Sequence, residues 1–308
     1  MERTGLVLHH GITDGAALTR WGRIAEECGY DSLWVTERLR HEETFALLGH
    51  LAASTTRLGL GVGVVNPYTR HPALIAMGAA TLAALTGGRF VLGLGRSERE
   101  VIEGRLGLPY HAPQQTLAEA VATVRRELDR TRVPIYLAAM GRRALRLAGS
   151  VADGVVLNAY VPVGYVPWAI REIEAGARAA GRDPAAIDVA CMLVVRAGPD
   201  AAALRPALRE RVVRLLCEAH VGEILLATGG FDPGVLAPLR QAVADGRGTD
   251  AAALVSDPMI DAFYVLGPAS RLRERIAAYR AAGVSLPLLL PRLDDFEGVA
   301  RALAAIRS

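Results

Sequence analysis

A few residues in this chain are of types and spacings that do chemistry. His9 and His10 are adjacent near the N-terminus, where an imidazole is suited to moving a proton. On an extended strand only one of the two faces a given side; catalysis and a structural role both remain open for them. Glu37-Arg38 follows the segment DSLWVT. Glu37 is the clearest carboxylate at a strand end, so paired-carboxylate glycoside chemistry has little support. Gly59, Gly61 and Gly63 alternate along one strand and leave one of its faces without Cβ atoms. Such a face suits a planar ring; a tightly packed interior is the alternative. Met140-Gly141-Arg142-Arg143 joins a strand to a helix; free N–H groups at a helix start, with Gly and Arg beside them, suit a phosphate. A solvated arginine pair is the alternative.

Other chemistries are excluded or unsupported. All 35 basic residues are Arg, so no lysine Schiff base can form. Cys28, Cys191 and Cys217 are far apart and form no CxxC pair. His41, His50, His71, His111 and His220 show no metal-binding spacing, so no metal is expected. There is no GxSxG elbow. The net charge of +3, from 35 bases and 32 acids, argues against a nucleic-acid surface. No apolar run is long enough to span a membrane and no signal peptide is evident, so a cytoplasmic enzyme acting on a small molecule is expected.

The elements that must position these residues alternate along the chain. Apolar runs at 5–10, 31–36, 58–65, 89–94, 133–139, 155–158, 187–195 and 286–290 read as strands buried on both faces. Amphipathic stretches between them read as helices, with Pro72 in a first turn and Gly29 and Gly87-Gly88 as stops. Eight strand–helix units predict a (β/α)₈ TIM barrel in one domain, residues 1–308. A doubly wound open sheet is the alternative, but the first βα loop is not GxGxxG. The long interval 197–285 reads as a helical insertion or lid. In a barrel, function collects at the C-terminal strand ends. These are His9-His10, Thr36 to Arg38, Gly63 to Pro67, Gly93 to Ser97, Ala138 to Arg143, Asn158, Tyr160 and Arg196.

The stretch RLGLGVGVVNPYTRHP (Arg57 to Pro72) resembles the third strand and loop of the bacterial luciferase-like superfamily, in particular its coenzyme F420-dependent branch of the methylenetetrahydromethanopterin reductase type. The likeness continues through GYDSLWVTERL (Gly29 to Leu39), AATLAALTGGRFVLGLG (Ala79 to Gly95), PIYLAAMGRRALRLAGSVADGVVLN (Pro134 to Asn158) and DAFYVLGPASRLRERIAAYRAAGVSLPLLLP (Asp261 to Pro291). The resemblance implies F420, or FMN as the alternative, and hydride transfer to an activated C=C or C=N bond or from an alcohol. It places a non-prolyl cis peptide at Gly63-Val64 behind the ring. It also assigns ring or ribityl contact to Asn66, the ring edge to Glu37, the strand-four cofactor loop to Gly95 and Arg96, and phosphate binding to Ala139, Met140, Gly141 and Arg142. A homodimer is implied as well. Glu37-Arg38 stands where relatives often carry Asp-His, and Gly141-Arg142 where they carry Gly-Pro, so the proton donor is not inherited by resemblance. His10, or His9, is the candidate donor, with Glu37 orienting the ring edge. An FMN-dependent monooxygenase and a flavin-binding protein without turnover are the other readings.

Overall fold

The computed structural model describes residues 2–198, 203–218 and 221–304. His220 and the ends of the helices expected at 201–220 and 294–307 lie outside the described residues. Eight parallel strands close into a barrel: β1 (Gly5–Leu8), β2 (Ser32–Val35), β3 (Gly59–Val65), β4 (Phe90–Leu94), β5 (Ile135–Ala139), β6 (Gly154–Leu157), β7 (Asp188–Ala197) and, after a short extra strand β8 (Val265–Gly267), β9 (Leu286–Leu290). Closure runs from β6 through β7 and β9 back to β1. The open-sheet alternative is therefore excluded. β8 pairs with the far end of β7, outside the ring. Its three residues are too few to carry a readable pattern.

The barrel helices are α1 (Gly15–Glu27), α2 (Thr44–Ser54), α3 (Pro72–Thr86), α4 (Pro113–Leu128), α5 (Arg142–Val151) and α6 (Tyr165–Ala179). Their boundaries have local causes. The Asp14 carboxylate accepts the Ala16 N–H at the start of α1. Pro72 opens α3, and Gly87, at φ 62°, closes it in the left-handed conformation. A π-helical turn at Glu100–Arg105, which no sequence signal anticipates, follows β4. The segment expected to be one insertion divides in two. Helices α7 (Arg205–Cys217), α8 (Val221–Gly229), α9 (Leu236–Ala244), α10 (Gly248–Ala253) and α11 (Asp257–Phe263) form a cluster. The chain then returns through β8 and α12 (Ala269–Ala281), which packs on β7, β9 and the last helix, α13 (Phe296–Ala304).

The alternating glycines of β3 have a structural cause, and the expectation of a bare shelf for a planar ring is corrected. A Cβ on Gly61 would fall 2.3 Å from the Trp34 indole, and one on Gly63 would fall 2.6 Å from the Met192 methyl. Trp34 is fully buried, and its Nε1 donates to Ser32 Oγ at 3.0 Å. The barrel interior spends the missing Cβ volume on an indole, in keeping with the dense packing of protein cores.

Candidate active site

The mouth is built where the strands end. On one side, β3 carries a cis peptide at Gly63-Val64, the position the resemblance assigns, and its pairing with β4 shifts register between Val62 and Val65. Gly95 packs against this bulge: a Cβ there would lie 2.5 Å from Val64 Cγ2. The Asn66 side-chain oxygen accepts the N–H groups of Tyr68 and Thr69 at 3.1 and 3.0 Å, so it holds the β3–α3 loop. Its amide nitrogen has no protein partner among the described residues. Arg96 is exposed and donates to the Tyr110 hydroxyl at 2.9 Å.

Next to them, Ala139 ends β5, and Gly141 is the cap of α5 with no side-chain cap. The first N–H groups of α5 therefore have no intrahelical partner. A Cβ on Gly141 would meet only open space. The Met140 carbonyl is held by the buried Tyr165 hydroxyl. Arg142 pairs with Glu172 at 3.1 Å, whereas Arg143 is exposed and has no ion-pair partner among the described residues.

Glu37 sits at the end of β2 in an ion pair with Arg70, which also holds Glu43 and lies over the Phe45 ring at 5.2 Å. Burial raises the Glu37 carboxyl above its ordinary range, and Arg70 opposes the shift. Sequence reading missed Arg70, because the pair joins two loops 33 residues apart.

Both histidines follow β1 in a loop rather than extending it, so both reach the mouth. His9 Nδ1 lies 2.8 Å from Thr36 Oγ1. The His9 and His10 rings meet edge to face at 3.9 Å, and His10 meets the exposed His41 at 4.1 Å. Burial, reinforced by His10, Arg38 and Arg211, lowers the His9 pKa to about 4, so its imidazole is neutral at pH 7. His10 shifts the same way, again chiefly through burial. Its Nδ1 is buried with no hydrogen-bond partner among the described residues.

The far side of the mouth holds residues that strand-end reading reached only in part. Tyr160 follows β6 and Arg196 ends β7; both were on that shortlist. Arg211 on α7 and Tyr264 before β8 were not, since they reach the mouth through the helical cluster, where no strand rule applies. Arg211 Nε donates to Tyr160 Oη at 3.3 Å, and the Tyr160 and Tyr264 rings are 5.1 Å apart. Among the described residues no cluster of His, Cys, Asp and Glu could hold a metal ion, and no helix is long and apolar enough to cross a membrane.

Comparison with known proteins agrees with this architecture. The luciferase-like monooxygenase family profile matches residues 3–286. The chain is 32% identical over 290 residues to the 5,10-methylenetetrahydromethanopterin reductase of Methanolobus tindarius, covering 87% of this chain and 88% of that one. It is 33% identical over 235 residues to the F420-dependent glucose-6-phosphate dehydrogenase of Beutenbergia cavernae, covering 65% of this chain and 70% of that one. The solved coenzyme F420-dependent tetrahydromethanopterin reductase of Methanopyrus kandleri superposes with a TM-score of 0.80 at 24% identity, covering 100% of this chain and 99% of that one. By its profile match, its relatives and its closed barrel, the chain belongs to the luciferase-like monooxygenase family.

Proposed function

We propose that this protein is an F420-dependent oxidoreductase that moves a hydride between the deazaflavin and a small organic substrate. The observation that carries the reading is the adjacency of three features on neighbouring strands: the Gly63-Val64 bulge of β3, Gly95 at the end of β4, and the uncapped start of α5 at Gly141-Arg142. The residues present fit the cofactor. The open space at Gly141, the free α5 N–H groups and Arg143 suit its phosphate, Ala139 and Met140 shape the same turn, and the unpartnered Asn66 amide suits its polar chain. Arg96 and Glu37 border the ring position. The 33% identity to an F420-dependent dehydrogenase supports F420 over FMN.

When bound, the deazaflavin supplies the hydride. The chain's own residues supply position and a proton. The bulge of β3 would back the ring, and α7 of the helical cluster would cover the mouth as part of a lid within a single domain. His9 is neutral and lies innermost, fixed by Thr36. It accepts or relays the proton that balances hydride transfer, with His10 and His41 leading outward to solvent. Glu37, clamped by Arg70, orients the ring edge.

Two further points belong to this reading. A homodimer forms through α3, which exposes Leu74, Met77 and Leu85 at 55%, 64% and 61% along one face. Light scattering checks this: Met77→Glu should convert dimer to monomer. The protein works in the cytoplasm, in keeping with three unpaired cysteines. The deciding experiment is a fluorescence titration of the apoprotein with oxidised F420 and with FMN. Tighter binding of F420 is the expected result; tighter binding of FMN would overturn the F420 assignment in favour of a monooxygenase.

A further inference from the structure

Arg196 presents an unusual arrangement at the end of β7. Its Nη1 donates to the carbonyls of Val195 and Leu290, at 2.7 and 3.3 Å, which anchors the half-buried guanidinium between β7 and β9. No carboxylate lies within ion-pair distance of it among the described residues, nor of Arg211 across the cleft. Between the two arginines stand Tyr160 and Tyr264. Tyr264 is 2% exposed, and its buried hydroxyl has no hydrogen-bond partner among the described residues, although the Tyr160 ring is its neighbour. A buried hydroxyl and a guanidinium without a counter-ion each carry a desolvation cost. A ligand bearing an oxyanion would relieve both.

We infer that Arg196, Arg211 and the Tyr264 hydroxyl form a binding site for the carboxylate of an organic acid substrate, whose apolar part lies against the Tyr160 and Tyr264 rings. The inference rests on the proposed function in one respect, that the acid is the partner in hydride transfer. A carboxylate suits the site better than a phosphate dianion. Glu218 faces Arg211, and Arg292, Asp294 and Asp295 face Arg196 from the loop after β9, so three carboxylates oppose a second negative charge on the ligand. His9, neutral, adds none. Guanidinium donors match the two carboxylate oxygens in geometry. The site lies on the β6–β7–β9 side of the mouth, opposite the β3–β5 side assigned to the cofactor, so an acid held here leaves the ring position free.

The test is calorimetric titration of the full chain at low ionic strength with benzoate, benzamide and inorganic phosphate, with and without F420. Benzoate should bind at least tenfold more tightly than benzamide. Arg211→Gln, a change at an exposed helix position, should weaken benzoate at least fivefold, and Tyr264→Phe severalfold; Arg196→Gln should weaken it most if that variant folds. F420 affinity should be unchanged in all of them. Equal binding of benzoate and benzamide, no binding of either, or displacement of benzoate by phosphate at equal concentration would overturn the inference. Loss of F420 binding by the wild-type chain, with the benzoate preference intact, would sink the redox reading and leave the acid site standing.

Discussion

The two ends of the barrel treat their polar groups in opposite ways. At the N-terminal end the carboxylates are closely engaged. Asp188 accepts from Arg3 at 2.6 Å and from Ser285 and Tyr136, and Glu26 accepts the N–H groups of Thr56, Arg57 and Leu58. Asp153 accepts Ile135 N–H at 2.8 Å, and Asp31 accepts Thr4 N–H at 2.7 Å. At the mouth, among the described residues, His10 Nδ1 and Tyr264 Oη lack hydrogen-bond partners, and Arg196 and Arg143 lack counter-ions. Buried polar groups are normally satisfied, so the exceptions His10 and Tyr264, both beside strand ends at the mouth, mark where a ligand can complete the structure. One end is built for stability and the other holds open valences for binding.

The largest expected effect breaks the closely engaged end. Asp188→Ala strands Arg3 and the Tyr136 hydroxyl and should cost about 3 kcal/mol in chemical denaturation, with activity per folded molecule unchanged. The same carboxyl is held below its ordinary pKa: burial pushes it up, but the bonds from Arg3, Ser285 and Tyr136 prevail. Its contribution is present above the unfolded pKa and is lost as pH falls through the folded one. Asp188→Asn should therefore flatten the acid limb of the stability curve.

At the mouth the opposite split is expected. His9→Gln should lower turnover by about 100-fold while F420 affinity and melting temperature hold. His10→Ala should lower turnover less, again with little change in F420 affinity; unchanged turnover in both would remove the histidines from the mechanism. His9 also predicts a pH effect on stability. Its folded pKa of about 4 lies below its ordinary 6.5, so the folded state binds fewer protons between those values. Stability is unpenalised above pH 6.5 and declines as pH falls toward 4, by about 2 kcal/mol after allowance for partial exposure. His9→Gln should abolish that decline in urea titrations run at several pH values.

Two smaller effects sharpen the boundary between the regions. Arg70→Met leaves Glu37 half-buried and unpaired and should cost about 1–2 kcal/mol in stability, together with a rise in the pH at which Glu37 ionises. Arg143→Gln removes one exposed charge at the α5 start and should weaken F420 by only about threefold, an effect that vanishes at high salt. A tenfold or larger loss that persists in salt would mean that Arg143 is desolvated against the phosphate.

The barrel itself was legible because strands buried on both faces leave long apolar runs, and runs such as LVL and LPLLL read the same in either context. The β3 bulge was reached through resemblance rather than pattern. The glycine row was the instructive failure: alternation records that one face lacks Cβ atoms, not whether an indole or a ligand fills the space, and the deciding residue, Trp34, lies on another strand. Arg70, Arg211 and Tyr264 were invisible for a related reason. Each enters the mouth from a loop or from the helical cluster, and nothing in its local sequence encodes that arrival.

The fit of Trp34 into the Gly61 notch also constrains how the family can diversify. β2 and β3 share a fixed sum of volume at this level of the barrel, so neither position can drift alone. Gly61→Ala is a clash until the indole shrinks, and a smaller residue at 34 leaves a hole until 61 grows. The two sites are therefore expected to exchange size as a unit. A compensated swap that removes the indole would hand its volume to β3 beside Tyr136 and Met192, so the barrel interior can be repacked without moving a strand.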